Sequence, residues 1–374
     1  YYPLKIIKTD DMPYKERVTL YKKIEKIRDS PLITYVTSVR PNASGAIASD
    51  VIIEFSKQLI GIPEKYKKID ILIVSRGGDP TVPLRIISML REKFEKVSVL
   101  LPFEAYSAAT LLALGADEIV MHPFSNLGPV DPQLTYIKKG PGKQEEKIQF
   151  GSEDIRLFFD FVRSDVGISD QEQLEKALEL VCKDVGAIPI GAANRSSHLA
   201  ISMSEKLLNL HLKDQNKVKA IVEALNKSFY HHGYPLGRKE AKEIGLPVIE
   251  PDQDLETLIW NVWEDIEKEM KCNEPFNPLE IIINDRNTSQ LISPVPQAQI
   301  PANLPPQLLK QAYNQILQNI RIVNIVPVDY ELLQATLESI NCKSEYITRG
   351  KIFATRLPDM NIAINVVKLS LIHI

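Results

Sequence analysis

Three short apolar runs, Ile71-Leu72-Ile73-Val74, Val97-Ser98-Val99-Leu100-Leu101 and Ile119-Val120-Met121, limit the fold more tightly than any other feature. Between the first two, Leu84, Ile87, Leu90 and Phe94 recur at helical spacing behind Pro83. Between the second and third, Ala105-Tyr106-Ser107-Ala108-Ala109-Thr110 opens an apolar helix over residues 111–114. A strand that is apolar without alternation is buried on both faces. In a regular alternation with helices, that means a parallel sheet and an α/β fold. Such sheets gather their working groups where strands end and helices begin. Two turns occupy that position here: Ser75-Arg76-Gly77-Gly78-Asp79-Pro80 after the first run, and Ala105 to Ala108 after the second.

These turns hold the parts needed for acyl transfer. A serine hydroxyl is a weak nucleophile until a base takes its proton and donors hold the oxyanion that forms. The first amides of a helix have no partner inside it, so the Ala108 N–H is free to meet an oxyanion formed at Ser107. Gly77 or Gly78, lacking Cβ, can turn an N–H toward the same point. One such donor contributes roughly 3–4 kcal/mol to the transition state. The same residues also serve plainer ends: glycine pairs make tight turns, and serines cap helices.

Four blocks carry a family resemblance: Ser75 to Asp79, Tyr106 to Met121, Ser125 to Gln133, and Gly237 to Leu246. In this order and spacing the chain resembles the ClpP/crotonase superfamily, and within it the peptidases similar to signal peptide peptidase A. The nearest branch is the prokaryotic serine dehydrogenase proteinase-like one. The resemblance implies a ClpP/crotonase-like core of repeated β-β-α and βα units with a parallel sheet and a helical extension. It implies a serine peptidase working through an acyl-enzyme on polypeptide substrates, without a cofactor, as a homo-oligomer. Ser107 would be the nucleophile, with oxyanion donors from Gly78 (or Gly77) and Ala108.

The base is less determined. ClpP-like enzymes carry a histidine after the third strand, where this chain has Asp131-Pro132-Gln133. Signal-peptide-peptidase-like enzymes use a lysine further on. Lys138, Lys139, Lys143 and Lys147 lie there, and Lys147 alone heads into apolar sequence at Ile148-Gln149-Phe150. A lysine base must be neutral, which needs burial or a cationic neighbour. The rival is His232 in His231-His232-Gly233. Asp131, between Pro129 and Pro132 in a rigid turn, is separately able to orient a base. Two other functions compete with a peptidase. One is a crotonase-type enzyme on acyl-CoA thioesters, with Asp79 and Glu104 converging on substrate. The other is an inactive scaffold of the same fold.

Length and composition bound the rest. A chain of 374 residues has room for one large domain and something small. A net charge of −3 gives no electrostatic reason to expect nucleic acid, and no apolar run approaches a membrane span. Cys182, Cys272 and Cys342 form neither a disulfide framework nor a zinc site, so no metal is expected and a cytoplasmic location is. The start at Tyr1 leaves a leader or anchor open. Residues 1–30 read as a helical arm that docks on the sheet or a neighbouring subunit. Residues 31–270 read as the catalytic domain, with a polar loop at 136–149 and a helical block from 152 to 229 that resembles the family's oligomerising region. Residues 271–305 read as a proline-rich linker whose prolines deny helix. Residues 306–374 read as a small α+β module, with helices at 306–320 and 330–340 and strands at 321–326, 352–354 and 362–369.

Overall fold

A computed structural model describes residues 12–139, 145–228, 231–292, 305–319, 327–356 and 362–373. The chain opens with α1 (Met12–Arg28), β1 (Leu32–Thr37), α2 (Val51–Ile60), β2 (Lys68–Val74) and α3 (Thr81–Lys93). It continues through β3 (Lys96–Leu101), β4 (Glu104–Ala105), α4 (Ala108–Leu114), β5 (Glu118–Met121) and β6 (Asn126–Leu127). A hairpin, β7 (Leu134–Lys139) and β8 (Glu145–Phe150), leads to the helices α5 (Ser152–Ser164), α6 (Gln171–Val185), α7 (Ala187–Leu208) and α8 (Gln215–Glu223). A π-helical turn over Ala224–Ser228 ends that block. Then come β9 (Leu236–Gly237), α9 (Arg238–Glu243), β10 (Val248–Ile249), α10 (Gln253–Met270), α11 (Pro278–Asn284), α12 (Arg286–Ile292) and α13 (Pro306–Asn319). Three long strands close the chain: β11 (Val328–Glu338), β12 (Lys343–Arg356) and β13 (Ile362–His373).

The main sheet runs β10-β5-β3-β2-β1-β11-β12-β13. Its first five strands are mutually parallel, and β11 to β13 are added antiparallel. The expected α/β fold with a parallel core is therefore present. Alternate residues of the apolar runs divide cleanly between two cores, because successive side chains of a strand point to opposite faces. Ile71, Ile73, Val97, Val99, Ile119 and Met121 pack toward Phe55 of α2, Ile87 of α3 and Leu111 of α4. Leu72, Val74, Leu100 and Val120 pack toward Tyr14 and Ile24 of α1 and Ile259 and Trp263 of α10. With helices on both faces every position of these three runs is buried, which is why they show no polar alternation.

The second face is locked by a buried ionic network. Arg17 of α1 is fully buried and grips Glu338 of β11 with two bonds, Nε to Oε2 at 2.9 Å and Nη2 to Oε1 at 2.7 Å. Tyr21 donates to the same carboxylate at 2.6 Å, and Asp265 and Glu269 of α10 also meet Arg17. Lys343 of β12 joins through Glu269 at 2.9 Å. Helix α1 therefore docks on the sheet, on a strand that belongs to the C-terminal part of the chain.

Three local expectations are corrected. The polar loop at 136–149 is instead the β7–β8 hairpin, with Tyr136 opposite Ile148 and Leu134 opposite Phe150. Cross-strand apolar pairs of this kind outweigh the surrounding charges. The linker contains α11 and α12: Pro278 sits in the first turn of α11, where its missing N–H costs nothing, and Asn277 caps that turn. The helix expected at 330–340 is strand β11, hydrogen-bonded on both sides, to β1 and to β12. Its local pattern is ambiguous, and the sheet edge offered by β1 decides it. The C-terminal α+β content is thus joined to the core sheet through β1. The strand expected at 321–326 lies outside the described residues.

Removing one partner of a buried ion pair leaves the other charge uncompensated, at a cost of about 3–5 kcal/mol. Burial alone would raise the Glu338 carboxyl, but Arg17 overcomes that and holds it below its ordinary 4.5. The stability it contributes is fully present above pH 4.5 and is lost as pH falls through the depressed folded value. Glu338→Gln is expected to lower the unfolding free energy at neutral pH by about 3–5 kcal/mol in urea titrations, and to remove that acid dependence. A loss under about 1 kcal/mol would show that the pair is not worth what its burial implies.

Candidate active site

The turn after β2 is bolted to β4. Ser75 N–H donates to Glu104 O, and Tyr106 N–H donates back to Ser75 O, both at 3.0 Å. This brings Gly77 against Ser107. Gly77 has φ +105°, and a Cβ there would lie 2.8 Å from Ser107 Cβ and from Tyr106 O. Only glycine satisfies both the dihedral and the approach. Its neighbour Gly78 lies across Ile47: Ile47 N–H donates to Gly77 O at 2.8 Å and Asp79 N–H to Ile47 O at 2.9 Å. A Cβ on Gly78 would fall 2.1 Å from Ile47 O. The Gly77 N–H is occupied by Ser75 Oγ at 3.1 Å. The Gly78 N–H, among the described residues, donates to nothing.

Ser107 is the residue before α4, in a backbone conformation that L side chains rarely adopt, φ +53° and ψ −115°. A non-glycine residue there carries about 1–3 kcal/mol of strain and persists only where its surroundings hold it. They do so here. Thr110 Oγ1 donates to Ala105 O at 2.8 Å and also meets Gly128 O, while Gly128 N–H donates to Ala105 O at 3.0 Å. The Tyr106 ring lies directly over Gly128, where a Cβ would overlap it. The Ser107 side chain is half-buried and makes no capping bond to its own helix. The serine is therefore not acting as a helix cap, and the Ala108 amide behind it has no partner within the helix.

His232 and Asp131, 101 residues apart in sequence, meet directly: Nδ1 of the imidazole lies 2.6 Å from Asp131 Oδ1. Gln133 Nε2 reaches the other carboxylate oxygen at 3.3 Å. The hydrogen bond and charge of Asp131 favour the protonated ring and raise the His232 pKa above 6.5. Both residues line a cavity of about 300 Å³ that also takes in Pro129, Glu153, Asp154, Leu157, Leu225 and Asn226. Its floor is fixed by Val130 N–H donating to Leu225 O at 2.9 Å, next to the π-helical turn. Asn226 of that turn is a member the sequence does not announce: nothing in Ala224 to Ser228 marks a π turn or a polar group facing inward.

The other candidates lie elsewhere. Lys147 is exposed on β8, opposite Ile137, and is not among the residues lining the cavity. Among the described residues no hydrogen bond joins the Ser107 hydroxyl to either His232 or Lys147. Asp79, just before α3, accepts from Thr81 N–H and Oγ1 at 2.9 and 2.7 Å. Glu104 is paired with Arg76 at 2.7 Å. The two carboxylates needed by a crotonase-type reading are thus each held by a different group.

Residues 8–145 match the model of one family, the ClpP-like SDH-type serine proteinases. That match covers the turns that hold Gly77, Gly78 and Ser107. An uncharacterized protein of Methanocaldococcus jannaschii is 27% identical over 259 residues, covering 65% of this chain and 78% of its own length. A second from the same organism is 29% identical over 183 residues, and the chain spans about half of it, 51%. Among solved structures, the 1510-N membrane-bound stomatin-specific protease is 17% identical over 60% of this chain and 84% of its own, with a TM-score of 0.36. The ClpP protease catalytic domain from Plasmodium falciparum is 14% identical over 66% and 96%, with a TM-score of 0.33.

Strain at position 107 has a measurable sign. At an ordinary N-cap, replacing serine by glycine costs a few tenths of a kcal/mol. Here Ser107→Gly is expected to be more stable than the wild type by about 1 kcal/mol, because glycine adopts φ +53° without cost and no capping bond is lost. Equal stabilities in thermal unfolding would mean that the serine is not strained.

Proposed function

We propose that this chain, whose residues 8–145 match the model of the ClpP-like SDH-type serine proteinases, cleaves peptide bonds through an acyl-enzyme on Ser107. The observation that carries the reading is the strained, uncapped serine held against Gly77 with the Gly78 and Ala108 amides beside it in sequence. Ser107 Oγ attacks the substrate carbonyl carbon, and the proton passes to a base. The carbonyl oxygen becomes an oxyanion that accepts from Gly78 N–H and Ala108 N–H. Collapse breaks the C–N bond, the amine leaves with the proton, and water then hydrolyses the ester by the same steps.

We assign the base to His232. Asp131 on Nδ1 leaves Nε2 as the working nitrogen, the division of labour that a carboxylate–imidazole pair provides. The hydroxyl and the imidazole come within hydrogen-bond reach when substrate binds, as catalytic bonds often tighten only in the complex. Lys147, exposed on β8, lacks the desolvation that a neutral lysine requires. Gly78 is favoured over Gly77 as the oxyanion donor, since the Gly77 N–H already donates to Ser75 Oγ at 3.1 Å.

The helical block supports a homo-oligomer. Phe161 is 54% exposed, Leu180 62% and Ile188 86%, on helices whose faces are otherwise only partly covered. A second copy is the cover we assign, in line with the oligomerising region that this block resembles. Among the described residues no helix is long and apolar enough to cross a membrane. The three free cysteines fit a cytoplasmic setting.

Protonated His232 cannot accept a proton, so activity appears as pH rises through its raised pKa. Peptide hydrolysis is expected to follow a single ascending limb with an inflection above 6.5. Asp131→Asn moves that inflection down and lowers the plateau rate. His232→Ala lowers kcat by about a hundredfold or more, and Lys147→Ala by far less. An inflection unmoved by Asp131→Asn, or a larger loss in Lys147→Ala than in His232→Ala, would reassign the base.

A further inference from the structure

Asn226 is 4% exposed and lines the cavity of Asp131 and His232. Its Nδ2 donates to Val222 O at 2.8 Å, while its Oδ1 has no hydrogen-bond partner among the described residues. A buried acceptor left unmet costs free energy until a donor reaches it, and such groups in a native fold call for an explanation. The rest of the lining points to the kind of donor. Asp131, Glu153 and Asp154 are all present, and among the described residues no lysine or arginine lines it. These carboxylates already accept from His232 and Gln133, from Arg156, and from Gly151 N–H respectively. A carboxylate offers about four acceptor sites, so each keeps capacity for a further donor. Pro129, Leu157 and Leu225 give the cavity an apolar wall of the sort that covers a methylene stem. Among the described residues no group of three metal-ligating side chains comes together, so a coordinated ion does not account for this lining.

We propose that this cavity seats the side chain of a lysine or arginine in the polypeptide substrate, making basic segments the preferred targets of cleavage. The inference rests on the serine peptidase reading of Ser107. Position favours it: Pro129 in the cavity wall follows Gly128, against which Tyr106, the neighbour of Ser107, is packed. In this proposal a substrate held at the Ser107 turn continues past Gly128 and Pro129 to the cavity. The ammonium or guanidinium group donates toward the carboxylates and Asn226 Oδ1, and the stem lies on Leu157 and Leu225. A volume of about 300 Å³ admits one long side chain rather than a folded element.

The test uses the full chain and matched fluorogenic peptides that differ at one residue near the scissile bond, carrying lysine, norleucine or glutamate. Norleucine keeps the stem and removes the charge. A fluorophosphonate probe, which carries no such side chain, reports Ser107 reactivity in parallel. The lysine peptide is expected to exceed the norleucine peptide by about tenfold in kcat/KM, the effect of a hydrogen bond to a charged group. Glu153→Arg is expected to invert the order so that the glutamate peptide leads, an outcome that a purely structural role for Glu153 would not produce. Asn226→Leu narrows the lysine advantage and serves if the charge reversal does not fold. Labelling of Ser107 together with equal cleavage of all three peptides would overturn the cavity assignment and leave the peptidase reading standing. Absence of labelling would remove the peptidase reading, and this inference with it.

Discussion

The approach of Gly77 to Ser107 is the contact on which the candidate site depends. The two residues come from different strand ends, and no side chain can stand between them: a Cβ on Gly77 would lie 2.8 Å from that of Ser107. The approach is enforced from three sides, by the Ser75–Glu104 and Tyr106–Ser75 backbone bonds, by Ile47 across Gly77 and Asp79, and by Thr110 holding Ala105 to Gly128. Each is a backbone or buried hydroxyl bond with little freedom to relax. The serine is consequently held in a conformation it would leave if it could. A half-buried hydroxyl held there at energetic cost, and not used to cap its helix, is what the proposed nucleophilic role of Ser107 calls for.

The sheet supplies the rigidity. Strands β1, β2, β3 and β5 are covered on both faces, so their ends are placed by two separate cores. The Arg17–Glu338 network ties α1, α10 and β11 together across one of those faces. It lies on the face opposite α4 and contributes no atom to the site. Its charges are so well surrounded that it acts as a fixed clamp on β1, the strand shared by the parallel core and the C-terminal strands.

Much of this was legible in the residues. The uninterrupted apolar runs predict the doubly covered parallel strands, and the position of Ser107 at the start of α4 follows from the apolar helix behind it, while the short strand β4 before it is not foreseen. Asp131 and His232 are both singled out as candidates, but their contact is not, because residues 101 apart in sequence carry no periodic signal. Strand β11 was missed for a related reason: a segment whose apolar pattern suits helix or strand takes its form from the edge it meets, here that of β1. The β7–β8 hairpin was obscured by its charge, and its pairing rests on Tyr136 opposite Ile148. Proline misled at Pro278, since density of a residue type says less than its place within the first helical turn. Asn226 was invisible, as a π turn leaves no mark in composition.

The account stands or falls on where the acyl group is carried. Acid quenching during turnover of a peptide ester, followed by tandem mass spectrometry of the digested protein, locates any covalent intermediate directly. The account predicts an ester on the Ser107 hydroxyl, lost in Ser107→Ala. Hydrolysis that proceeds with no acyl-protein, or with the acyl group on another side chain, would contradict it.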